Sequence, residues 1–156
     1  ETKYGEFDVH SYKDSISGSL HLAFTMGVID PNDPLLVRVH IPNTVRDICD
    51  VYNSNRTSWS FSNALEKIAE QGKGVAVLLS GEDYGQDLDQ NIANVLSDGS
   101  ETASINRSGS DLTIGTGSQI LRDLGVGKMR LLSYPAKLNA ISGFDLEVVE
   151  FVEFEK

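Results

Sequence analysis

The chain has 156 residues, 40% hydrophobic and 8% aromatic, which suits one globular domain and excludes general disorder or two full-sized domains. Its 13 basic and 23 acidic side chains give a formal charge of −10, so the surface repels phosphate backbones and nucleic acid is not an expected partner. Cys49 is the single cysteine, which excludes intrachain disulfides and multi-cysteine zinc sites, and no apolar run approaches the roughly 20 residues of a membrane span. A cytoplasmic setting is the expectation, and the abrupt opening at Glu1 on strand-like residues points to an upstream portion.

Tyr4 to Tyr12 and Ser19 to Ile29 are rich in aromatic and aliphatic residues around the turn-forming Asp14 to Gly18, and predict an antiparallel pair. Leu35 to His40 alternates, with Leu35, Val37 and Val39 on one face and Leu36, Arg38 and His40 on the other, which predicts a third strand. Between Ile41 and Asn55 no period is legible. Phe61, Ala64, Leu65, Ile68 and Ala69 then recur on one helical face, so a helix is expected from Ser60 to Gln71, capped by Ser60 or Ser58 and ended by Gly72. Gly74 to Leu79 is apolar enough for a strand buried on both faces, which implies a layered α/β core.

Ser80 to Asp89 carries four carboxylates and no basic residue, and Asp87 to Leu96 is read as a short helix. Ser97 to Asp111 is almost wholly small and polar and is expected to be the least ordered segment. Further elements are a helix at Gln119 to Leu124 ended by Gly125, a strand at Met129 to Leu132, a short helix at Ala136 to Ile141 and a strand at Leu146 to Phe154.

Chemical motifs are sparse. The chain has no GxxxxGK[ST] phosphate loop and no GxSxG elbow. Gly115 and Gly117 beside a helix start could hold an anion on backbone amides, although a packing or turn role is the commoner meaning of such glycines. His10, His21 and His40 lie on predicted strands without metal-binding spacing and read as ordinary strand histidines. Cys49 has only Arg46 nearby to lower its pKa and is not read as a nucleophile. The sequons at Asn55 and Asn106 read as accidental, and the acidic run Glu82, Asp83, Asp87 and Asp89 fits a solvated loop better than a calcium site.

Several segments in order, YGEF at Tyr4 to Phe7, HLAF, MGVID, LLVRVH up to His40, ALEKIAEQGKGVAVLL, GSQILRDLGVGKMRLL at Gly117 to Leu132 and FDLEVVE at Phe144 to Glu150, resemble GTP cyclohydrolase II. The likeness is to the C-terminal half of bifunctional riboflavin-biosynthesis proteins whose N-terminal half is a 3,4-dihydroxy-2-butanone 4-phosphate synthase. It implies one α/β domain over residues 1–156, a layered mixed β-sheet with flanking helices.

The resemblance also implies a zinc ion held by C-x10-C-x-C after the RVH motif, activating water for opening of a guanine ring. Those positions here are Asn43, Ser54 and Arg56, so no zinc and no other cofactor is expected. The family's triphosphate-binding RQEGRGIG aligns with Ser80 to Asp87, where both arginines are gone and Glu82 and Gly85 keep their places. Its DxRxYGIGAQ run, with a water-activating aspartate and a phosphorus-attacking arginine, aligns so that Ser110, Leu112 and Ile114 replace the aspartate, arginine and tyrosine. A leucine can neither attack phosphorus nor stabilise its charge.

The expectation is therefore a degenerate domain that keeps the scaffold and has lost the chemistry, structural or regulatory for an upstream synthase in the same chain. A vestigial pocket lined by Glu82, Tyr84, Gly115, Gly117 and Gln119 could take another small molecule, a nucleotide or a flavin. An altered hydrolase is the weakest of the three readings. Family association into homodimers makes the apolar entry strands the expected interface.

Overall fold

A computed structural model describes residues 1–49, 59–80, 107–135 and 141–154. Six strands, β1 (Asp8–Lys13), β2 (Leu20–Met26), β3 (Leu35–His40), β4 (Gly74–Leu78), β5 (Lys128–Leu132) and β6 (Glu147–Val152), form one mixed sheet in the order β1-β2-β4-β3-β5-β6. The β1-β2-β4 side is antiparallel, and β4, β3, β5 and β6 run parallel. Helices α1 (Thr44–Asp47), α2 (Phe61–Gln71) and α3 (Arg107–Asp123) and a 3₁₀ turn at Ile141–Phe144 complete the described elements. This is the layered α/β architecture that the apolar patterning predicts.

The alternation of β3 and β4 sorts side chains to two cores. Val37, Val75 and Val77 join Ala23, Ile120 and Leu121 on the α3 face, whereas Leu36 and Ala76 join Phe7, Leu65 and Ile68 on the α2 face. Strand β4 is buried on both sides, which explains why its sequence has no polar alternation. Burying each large aliphatic side chain here contributes about 1.5–3 kcal/mol, and Ile68, wholly buried on α2, fixes that helix to the sheet.

Helix α2 has the expected caps. Ser60 Oγ accepts from the Asn63 backbone N–H at 3.1 Å, and Gly72 takes a left-handed φ of 73° while its N–H donates to Ala69 O. Helix α3 differs from expectation. It starts at Arg107, so the end of the segment expected to be least ordered is helical, and Gly115 and Gly117 lie within the helix instead of at its start. Local propensity is poor in SGSDLTIGTGS, and tertiary packing against the sheet overrides it. At Gly117 an added Cβ would stand 2.9 Å from Val39 Cγ1, so the missing side chain is what lets the helix approach β3.

Other boundaries also shift. A tight turn at Lys3 and Tyr4 is closed by a Thr2–Gly5 bridge, so β1 begins only at Asp8, and β2 stops at Gly27, whose φ is 73°. The one-turn helix α1 lies where no period is legible, and the strand expected from Leu146 to Phe154 contracts to β6. The helix expected at Asp87 to Leu96 lies outside the described residues, as does nearly all of that at Ala136 to Ile141.

Candidate functional site

Parallel strands β3 and β4 end side by side, and His40 and Leu78 are register partners there. In such sheets, ligands are taken up beyond the carboxyl ends of the strands. The two sides of this edge are built differently.

On the α2 side stands a closed polar network. Arg38 Nη1 donates to Leu132 O at 2.7 Å and Nη2 to Trp59 O at 2.9 Å, tying β3 to β5 and to the segment entering α2. Its Nε donates to His40 Nδ1 at 3.3 Å. A guanidinium can only donate, so Nδ1 is the bare nitrogen and Nε2 carries the proton. That proton goes to Asp47 Oδ2, 2.7 Å away, and the same oxygen accepts from the Asn43 backbone N–H at 2.7 Å. His40 is fully buried, and its ring lies 5.4 Å from that of Phe61. Trp59 Nε1 donates to Val152 O at 2.8 Å, and its ring meets Phe154 edge-on, closing the network toward β6.

Asn43, the first of the three positions implied for zinc, thus sits inside this network at the start of α1. Its carbonyl accepts from the Asp47 backbone N–H, and it offers a neutral amide where the family metal needs a thiolate. Ser54 and Arg56 lie outside the described residues, and Cys49 is exposed beyond α1. Among the described residues no three metal-binding side chains stand together. The donor set therefore does not fit a tris-thiolate zinc site. The three strand histidines have separate partners: His10 meets Thr25 Oγ1 at 3.3 Å, His21 accepts from the Ser80 N–H, and His40 holds Asp47.

On the α3 side the edge is open. The hairpin joining β1 to β2 and one flank of α3 enclose a cavity of about 660 Å³. Gly115 and Gln119 line it, as does Thr116 between them, whereas Gly117 faces the sheet because its position in the helix turns it onto Val39. Ile114 is half-buried on the same helix; Ser110 and Leu112 occupy its first turns; Glu82 and Tyr84 fall outside the described residues. Reading the sequence missed the hairpin's share of the lining, Tyr12, Lys13, Asp14 and His21. No spacing rule links residues 12–21 to 115–123, and only the strand pairing brings them together.

Charges in the cavity are set locally. Asp14 Oδ1 accepts from the Ser17 and Ile16 backbone N–H groups, which holds its carboxyl below the usual range, with a smaller contribution from His21. Tyr12 Oη donates to Asp123 Oδ2 at 2.9 Å. Burial, then that bond and the Asp123 charge, push the phenol from 10 to about 12. Tyr12 is therefore neutral and Asp123 is its acceptor.

The GTP cyclohydrolase II family model matches residues 1–153. A Pseudomonas aeruginosa protein named 3,4-dihydroxy-2-butanone 4-phosphate synthase is 44% identical over 99% of this chain and 41% of its own length. A Neisseria meningitidis protein of the same name is 38% identical over 100% of this chain and 41% of its own. The riboflavin biosynthesis protein RibBA of Aquifex aeolicus is 38% identical over 97% of this chain and 39% of its own. The chain thus spans about two fifths of the length of these relatives. With the mixed sheet, the two flanking helices and a family match over nearly every residue, the chain belongs to the GTP cyclohydrolase II family.

Proposed function

We propose that this chain is a catalytically inactive GTP cyclohydrolase II-like domain of a riboflavin-biosynthesis protein, structural or regulatory for an attached 3,4-dihydroxy-2-butanone 4-phosphate synthase. The observation that carries the reading is Asn43, whose backbone N–H donates to the same Asp47 oxygen that holds His40, and which brings an amide where the resemblance implies a thiolate. Leu112 in place of the attacking arginine and the acidic Ser80 to Asp87 in place of the arginine-bearing loop point the same way. Coulomb repulsion of a triphosphate by that loop acts at contact distances inside the screening length of about 8 Å at physiological salt. Loss of the Lewis acid, the phosphate contacts and the nucleophile together would each cost orders of magnitude in rate.

Relatives bearing the synthase name support the attachment, because this chain matches them over only two fifths of their length. In the proposed arrangement the domain works in the cytoplasm as part of a homodimer, with the entry strands as the contact. The exposed side chains of Val9 on β1 and Leu20 on β2 favour that choice.

The test is a GTP turnover assay on zinc-supplemented protein, following formate and pyrophosphate, with metal content measured on the same sample. No turnover and no stoichiometric zinc is the expected result, and turnover with bound zinc would overturn the reading. A companion experiment deletes this domain from the full-length protein: a changed synthase rate or oligomeric state is expected, and no change in either defeats the proposed role.

A further inference from the structure

We propose that the cavity between the β1-β2 hairpin and α3 is a binding site for an uncharged, planar heterocycle that carries both hydrogen-bond donors and acceptors and no phosphate. The inference goes beyond the loss of catalysis argued above and would hold whether or not the domain serves a synthase.

Three observations carry it. The first is His21. It is only 6% exposed, and its Nδ1 accepts from the Ser80 backbone N–H at 3.2 Å, so in the neutral ring the proton resides on Nε2. That N–H has no partner among the described residues, and His21 lines the cavity. The cavity leaves that N–H accessible, so it is free to donate to an acceptor on a ligand.

The second is charge. Asp14 is held ionised by two backbone N–H groups, Asp123 accepts from Tyr12, and Lys13 is the cation among the described lining residues. Two carboxylates against one ammonium give a cavity of net negative sign, which disfavours a phosphorylated ligand at contact range. The backbone amides of α3 at Gly115 and Thr116 lie inside the helix, already committed to its own ladder, and offer no anion cradle.

The third is shape and chemistry together. A volume of about 660 Å³ suits a two- or three-ring compound. Ile16 and Ile120 add apolar surface to the lining, and the Tyr12 ring packs against the α3-side core. Gln119 is exposed and lines the cavity, adding an amide donor and acceptor to the His21 N–H. Apolar walls with a few polar groups of both kinds match a flat heterocycle with alternating N–H and C=O edges.

The experiment is calorimetric titration of the full-length protein with riboflavin, with lumazine as a second uncharged heterocycle and flavin mononucleotide and GTP as phosphorylated comparators. Saturable one-to-one binding of at least one uncharged compound is expected, with the phosphorylated compounds about tenfold weaker or worse. Gln119→Ala, on the helix surface, and His21→Phe are each expected to weaken binding by about tenfold, as loss of one buried hydrogen bond does. Lys13→Glu, which adds negative charge to the lining, should widen the gap between riboflavin and flavin mononucleotide. Unchanged circular dichroism and melting temperature of Gln119→Ala separate lost binding from lost fold. Silence with both uncharged compounds overturns the proposal. So does binding that is indifferent to both the Gln119 and His21 variants, or GTP binding tighter than riboflavin.

Discussion

His21 and His40 stand on opposite sides of the C-terminal end of β4, both nearly sealed from solvent, yet their surroundings differ in kind. His40 has each ring nitrogen engaged, Nδ1 by the Arg38 guanidinium and Nε2 by the Asp47 carboxylate, within a network that joins β3, β5, α1 and the entry to α2. His21 has one nitrogen held by Ser80 and the other turned to a cavity. A saturated buried histidine acts as a structural joint. One with a spare donor beside open space is equipped to meet a ligand. The hydrogen-bonded joint and the open cavity are thus separate properties of the two faces.

The largest expected effect breaks the closed side. Asp47→Ala removes the oxygen that accepts from both the His40 Nε2–H and the Asn43 N–H, costing about 2–4 kcal/mol. Urea unfolding would read this as a lower midpoint at unchanged slope. Asp47→Asn keeps one acceptor oxygen and should recover part of the loss. A midpoint shift below about 0.5 kcal/mol for Asp47→Ala would show that the network does not hold this edge together.

Next comes the helix that walls the open side. Gly117→Val forces a branched side chain against Val39 where a Cβ alone would already stand at 2.9 Å, and should cost about 1–3 kcal/mol by displacing α3. Gly115→Ala meets nothing within 4 Å and should stabilise slightly, by about 0.5 kcal/mol, through helix propensity. Equal effects of the two substitutions in thermal unfolding would refute the packing role assigned to Gly117.

Much of this was legible in the sequence, and the missing parts have physical reasons. The period of Phe61, Ala64, Leu65 and Ile68, the caps Ser60 and Gly72, and the alternation placing Leu36, Arg38 and His40 on one face are sufficient to specify α2 and β3. Helix α3 was read short because Gly, Ser and Thr supply little propensity before Gln119 and the stabilising contact is with a distant strand. The role of Asp47 was invisible because a single turn such as α1 has no period. Its partner on β3 is seven residues earlier, across a chain reversal. A strand ending in Arg-x-His followed within two turns by an aspartate was the only available signal. The cavity joins residues 12–21 to 115–123, and a one-dimensional pattern cannot express that proximity.

The smallest effect sharpens the open side through pH. Tyr12 is raised from 10 to about 12, so its folded form holds the proton more tightly than the unfolded chain does. Stability from this group is fully present below pH 10 and is lost as pH rises from 10 toward 12. Ultraviolet titration of tyrosinate should show a late phase that is absent in Tyr12→Phe. Because burial is the largest cause and the Asp123 bond and charge come after it, Asp123→Ala should bring that midpoint only part of the way back to 10. A complete return would mean that Asp123 alone sets the phenol. The hairpin wall of the cavity would then be far wetter than the packing of Tyr12 against the α3-side core implies.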